Sequence, residues 1–185
     1  MPTFFLAWAA VAICSLGSRE QLLLARLVEL RGGAVGLVAI ALPAAALSAA
    51  LMAWAGATVS ALLPDAAKTM LVAFALLAAA VELAWPVREK TLREPTQSLF
   101  ALLVVLVARQ IADAARFLVF ALAVASGMAL LAAIGGALGG AASALLAVAA
   151  ADDLPRWPLR TIRIVLAAVV SAVAIYLALT ARGLL

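Results

Sequence analysis

The sequence predicts an all-α polytopic membrane protein, with six transmembrane helices arranged as two inverted repeats of three. Three observations predict it. The 185 residues are 69% hydrophobic and only 12% charged, with a mean hydropathy of +1.24. A soluble domain is roughly 45–50% apolar and roughly 25% charged. The apolar residues fall into six runs, each long enough for the roughly 20 residues that cross a bilayer. Polar interruptions recur at matching depth in the first and fourth of these runs.

The runs cover residues 3–25, 33–56, 66–86, 97–122, 127–150 and 160–181. The first could be taken for a signal peptide, because Met1 to Cys14 is apolar and ends in a cysteine. It lacks a basic start and a small-residue cleavage site, and the helical pattern continues past Cys14, so it reads as the first span. Between runs lie Glu29-Leu30-Arg31-Gly32-Gly33, Leu63-Pro64-Asp65, Arg88 to Pro95, Ser126-Gly127 and Asp152 to Pro158. Each break carries glycine, proline or charge, the usual helix punctuation. The fourth break is the slightest, so runs four and five are expected to be joined almost directly. Pro43 inside run two is expected to be a tolerated kink, because neighbouring helices can satisfy the freed backbone groups. Gly135-Gly136-Ala137-Leu138-Gly139-Gly140 in run five holds two small-xxx-small pairs and predicts close helix packing.

Loop charge sets the orientation. Arg26, Arg31, Arg88, Lys90, Arg93, Arg156, Arg160 and Arg163 gather on one side, against Lys68 and Arg182 on the other. By the positive-inside rule the first side is cytoplasmic, which places both termini on the non-cytoplasmic side, in an inner membrane. Trp8 and Trp54 then fall at the outer interface, and Trp85 and Trp157 at the inner one. A net charge of +4 held in short loops points to the lipid bilayer as partner and not to nucleic acid. The lone Cys14 excludes an internal disulfide or cysteine metal cluster. There is no histidine, nucleotide loop or catalytic triad, so neither enzymatic activity nor a cofactor is expected. Homo-oligomerisation stays open.

Sliding the second half over the first by about 95 positions sets Ser15 on Gln110, Gly17 on Ala112, Ser18 on Asp113, Gln21 on Arg116 and Gly32 on Gly127. The two repeats are residues 1–90 and 91–185. Three crossings per half is an odd number, so the halves must be inverted, as in transporters whose sites lie where interrupted helices meet near the midplane. The densest charge inside an apolar run is Arg109, Asp113 and Arg116. Spaced four and three apart, they share one face of a continuous helix. Each charge near the bilayer centre costs about 2.5–3.5 kcal/mol on insertion scales. Arg109 and Asp113 could pair within the helix as readily as form a site. For Arg19 and Glu20 a local or interhelical ion pair is the expectation, and Glu82 is expected to snorkel to the interface beside Trp85. Arg156 to Arg163 reads as a solvated loop and helix start.

Ser15-Leu16-Gly17-Ser18-Arg19-Glu20-Gln21-Leu22 resembles the E-x-G-D-K-T-Q-L signature of the Golgi-type manganese/calcium–proton exchanger family, and Gln110 to Phe117 stands in the second signature's place. Gly17, Gln21 and Leu22 match, and Arg19 keeps the lysine's charge. Ser15 and Gln110 replace glutamates, Ser18 replaces an aspartate, Ala112 replaces the glycine, and Asp113 is retained. The resemblance implies two three-helix repeats and a cation antiporter that exchanges manganese or calcium for protons. It implies an ion site, and a metal ligand in Asp113, with Gln110, Ser15, Ser18 and Gln21 as neutral oxygen donors. Gly17 would be a hinge, and Arg19, Glu20, Arg109 and Arg116 would be flanking charges. Four carboxylates suit hard divalent ions, and only one of them stands at its place here. Two alternatives therefore accompany the exchanger: a non-transporting scaffold with a decayed site, and a transporter of an anionic or zwitterionic solute.

Overall fold

The computed structural model describes residues 1–31, 34–86 and 99–182, and these are all-helical, without a strand. The helices are α1 (Pro2–Cys14), α2 (Arg19–Arg31), α3 (Ala34–Ser60), α4 (Asp65–Ala84), α5 (Leu99–Ile111), α6 (Ala114–Ser126), α7 (Ala129–Ala149) and α8 (Leu159–Ala181). A short 3-10 turn over Leu154–Arg156 leads into α8. Four helices, α3, α4, α7 and α8, are long and apolar enough to cross a membrane. The pair α1 and α2 makes a fifth if counted as one bent span.

The polar interruptions explain the two extra breaks. The expected first run is not one helix: α1 stops at Cys14 and α2 starts at Arg19, with a bend of 62° between them. Gly17 takes φ +67 in the break, a left-handed conformation that glycine adopts without a Cβ penalty. Ser18 caps α2, its Oγ accepting from the Gln21 amide at 3.1 Å. Gln21 Oε1 reaches back to accept from the Gly17 amide at 2.7 Å, a close variant of the reciprocal cap. The expected fourth run likewise divides, α5 ending at Ile111 and α6 starting at Ala114 after Asp113.

Elsewhere the expected punctuation stands. Gly127 closes α6 at φ 64, its amide bonded to the Ala123 carbonyl, and α7 follows at once. Helix α3 runs without interruption through Pro43. Gly32-Gly33 and the basic stretch with Arg88, Lys90 and Arg93 lie outside the described residues.

Helices α3 and α7 pack most extensively, then α4 with α8 and α1 with α7. The run-five glycines explain the close approach. A Cβ on Gly135 would lie 2.4 Å from the Phe4 carbonyl oxygen, and one on Gly139 would lie 2.6 Å from that of Trp8. On the other face, Gly136 admits Val119 and Gly140 admits the Arg116 guanidinium. Helix α7 is thus pressed against α1 on one side and against α3 and α6 on the other. The buried core is alanine-rich, with Ala7, Ala41, Ala44, Ala49, Ala79, Ala132 and Ala147 each fully or almost fully buried. The outer surface carries exposed Phe5, Trp54, Phe74, Trp85, Ile164, Val169 and Tyr176. Apolar residues outside and small ones inside suit a lipid environment.

Candidate functional site

The two breaks meet. A small, partly open cavity of ≈ 10 Å³ is lined by Ser15, Glu20 and Gln21 from the first break, Asp113 and Arg116 from the second, and Gly140 and Ser143 from α7. That volume suits about one water-sized particle. Ser15, Ser18, Gln21, Gln110, Asp113 and Arg116 are all buried.

Arg116, Gln110, Glu20 and Gln21 are each held by a neighbour. Arg116, 2% exposed, donates from Nε to Ser48 Oγ at 2.7 Å. Its Nη2 points to the Ala45 carbonyl at 3.4 Å and to Gln110 Oε1 at 3.3 Å. Ser48 also bonds Gln110, and Gln110 Nε2 donates to the Glu20 carboxylate. Gln21 Nε2 donates to the Ser143 carbonyl at 3.4 Å. A buried arginine is tolerated because its donors find acceptors and because the missing Cβ of Gly140 makes room. A Cβ there would lie 2.8 Å from Nη2.

The expected oxygen donors divide into two groups. Gln110 Oε1 faces Ser48 and Arg116, Ser18 Oγ caps α2, and Gln21 Oε1 holds the Gly17 amide. Those oxygens are engaged within the protein. Ser15 and Asp113 border the cavity, and Glu20, expected only as a flanking charge, borders it with them. Asp113 is the N-cap residue of α6, yet its carboxylate makes no capping bond. No salt bridge to it occurs among the described residues.

Several sequence expectations are corrected here. Arg109 is exposed and does not share a face with Asp113 and Arg116, because the helix breaks between them and its register is lost. No Arg109–Asp113 pair forms among the described residues. Of the local or interhelical pair expected for Arg19 and Glu20, only Arg19 forms one: half-exposed, it pairs with Glu82 of α4 at 3.9 Å, while Glu20 turns into the site. Glu82 does not snorkel. It is 12% exposed and forms a 3.1 Å ion pair with Arg163, and it also accepts from the Ala114 amide at 3.3 Å. Arg163 is not solvated: it is 4% exposed, its Nη2 also donates to the Glu82 backbone carbonyl at 3.0 Å, and its stem packs on Gly17. The exposed Asp153–Arg156 pair, at 3.1 Å, is the solvated part of that loop.

The sequence did not single out Ser48, Ser143, Arg163 or the partnership of Glu82. A signal existed for the two serines, since they occupy matching places in the two halves. None existed for Glu82 with Arg163, which are brought together by the packing of α4 on α8.

No group of three or more His, Cys, Asp or Glu residues stands in metal-holding geometry among the described residues. The site offers two carboxylates, one guanidinium and neutral oxygens. Fold and site together define a multi-pass helical membrane protein with a polar pocket buried between two broken helices. No family model, curated protein or solved structure matches the chain.

Proposed function

We propose that the protein is a membrane transporter of the cation–proton exchange class, built as two inverted three-helix repeats with six crossings. In this reading α1 with α2, and α5 with α6, are each one broken span. The 13 residues of each half-helix span about 20 Å at 1.5 Å per residue, so a pair is long enough to cross.

The register of the elements supports duplication. Helices α2 and α6 start at Arg19 and Ala114, about 95 positions apart, and α3 and α7 start at Ala34 and Ala129, about 95 apart again. Side-chain pairing supports it too. Gln21 of the first half bonds Ser143 of the second, while Arg116 of the second, the counterpart of Gln21, bonds Ser48 of the first, the counterpart of Ser143. Each half reaches to the matching serine of the other, at its backbone carbonyl in one case and its hydroxyl in the other. The packing repeats the exchange, with α1 on α7 and α5 on α3.

The observation that carries the reading is the shared cavity, where Glu20 and Asp113 face one space from opposite breaks. Asp113 has no hydrogen-bonded or ion-paired side-chain partner among the described residues, and a carboxylate so placed between apolar helices needs a cation or a proton to neutralise it. Competition between the two at one site is the simplest basis of exchange. Rocking of one repeat against the other would expose the site alternately to the two faces. An anionic substrate is disfavoured, because Arg116 donates to protein acceptors and the lining is net negative.

The test is uptake of calcium, manganese and sodium into proteoliposomes driven by a pH gradient. Asp113→Asn and Glu20→Gln should each reduce the flux at least about tenfold, as truncation of a buried charge partner does. Arg109→Gln, on the exposed surface, should leave it unchanged. Full flux in Asp113→Asn would overturn the site assignment. No flux of any ion in the native protein would leave the scaffold reading.

A further inference from the structure

We infer that Arg116 is a resident cation occupying one of two equivalent half-sites, and that the remaining half-site selects a singly charged cation of about water size over a divalent one. The inference rests on the exchanger reading and names the ion class of that same site.

The pseudo-equivalence of the two breaks locates the half-sites. Gln21 faces Ser143 of α7, and Arg116 at the matching position faces Ser48 of α3. The first is a neutral amide beside an open space; the second is a guanidinium that fills its space. It bonds Ser48 Oγ, the Ala45 carbonyl and Gln110 Oε1. These are oxygen acceptors of the kind that would otherwise surround a metal ion. The packing has made room for it. At the place matching Ala45, α7 carries Gly140, and a Cβ there would lie 2.8 Å from the guanidinium. Arg116 therefore fits as a built-in ligand with its own oxygen shell.

Charge counting then fixes the class of ion. Glu20, Asp113 and Arg116 are the ionisable groups lining the cavity. With all three ionised they sum to one negative charge. Beyond the lining, Glu82 pairs with buried Arg163 at 3.1 Å, and solvent screens the second arginine beside it. Arg19 is half exposed and leans on Glu82, and Cys14 is a buried free cysteine. A singly charged cation neutralises this lining. A divalent ion leaves a net positive charge buried away from water, which the low dielectric penalises. A volume of ≈ 10 Å³ admits about one water-sized particle, which takes a dehydrated sodium, lithium or calcium ion alike, so charge and not size makes the selection. Arg116 also reaches Glu20 through Gln110, so the resident charge stabilises one wall of the open half-site.

Proteoliposomes loaded with a pH-sensitive dye and held under a pH gradient test this. Lithium, sodium, potassium, calcium and manganese chlorides are added in turn at equal concentration. Sodium or lithium should dissipate the gradient at concentrations at least about tenfold lower than calcium or manganese. Arg116→Gln, which restores the neutral amide of the first break and leaves two negative charges, should shift that preference toward the divalent ions by at least about tenfold, because ligand charge tunes ion affinity. Arg116→Lys, which keeps the charge, should keep the monovalent preference. The native protein alone decides even if a variant fails to fold. Preference for calcium or manganese in native vesicles would overturn this inference and leave the exchanger reading standing. No response to any cation would overturn both.

Discussion

Asp113 and Glu82 show how one residue's role depends on its backbone. In a continuous helix Asp113 would lie one turn beyond Arg109, within reach of pairing with it. The break at Ala112 removes that register and leaves the carboxylate facing the cavity instead. The residue was legible in the sequence, but its partners were not, because a helical wheel assumes an unbroken helix. Glu82 was misread for the opposite reason: its neighbour Trp85 suggested an interface, while its actual partner lies on α8, 81 positions away. That pair supplies a stability prediction. Arg163→Ala leaves buried Glu82 only the half-exposed Arg19 at 3.9 Å and should cost up to about 3–5 kcal/mol, whereas replacing both partners with leucine should be near neutral or stabilising. Thermal unfolding in detergent of Arg163→Ala and of the double leucine variant measures this. A double variant as unstable as Arg163→Ala alone would show that the pair does not act as a unit.

At the scale of elements, α7 organises the bundle through its glycines. The sequence made this readable, because two small-xxx-small pairs in one apolar run have few explanations other than close approach. It did not say which helix each pair would meet, since that depends on tertiary packing. Gly135 and Gly139 meet the backbone of α1, while Gly136 and Gly140 meet side chains of α6 and α3. The distinction predicts different costs. Gly139→Ala must push α1 outward, because its Cβ would lie 2.6 Å from a carbonyl oxygen that cannot rotate away. Overpacking of this kind costs about 1–3 kcal/mol. Gly36→Ala, with nothing within 4 Å, should be neutral or stabilise α3 by up to about 1 kcal/mol. Thermal unfolding of the two side by side is the check, and equal destabilisation would mean that close packing is not what α7 requires of its glycines. The broken helices were only half readable. Ser15 to Ser18 and Gln110 to Asp113 marked the depth of the interruptions, but an insertion of polar residues does not say whether the helix bends, and 62° exceeds what a continuous span would show.

For the whole molecule, the decisive question is whether the broken pairs cross the bilayer or return to the side they entered. If α1 with α2 and α5 with α6 each cross, every half has three crossings and the halves are inverted. If each pair is re-entrant, only α3, α4, α7 and α8 cross, and the halves run parallel. The two arrangements place one pair of positions differently. Leu62, in the turn before α4, and Trp157, in the turn before α8, stand about 95 positions apart at corresponding places and are both exposed. Six crossings put them on opposite faces, with Trp157 on the basic cytoplasmic side, and four crossings put them on the same face. Cys14 is the only cysteine in the chain, so Cys14→Ser gives a background without thiols into which Leu62→Cys and Trp157→Cys can each be placed. A membrane-impermeant maleimide applied to intact cells should label Leu62→Cys and leave Trp157→Cys unlabelled until the membrane is opened. Labelling of both from the same side would remove the inverted repeat. The two breaks would then enter from the same face, and exchange by rocking of opposed halves would lose its structural basis.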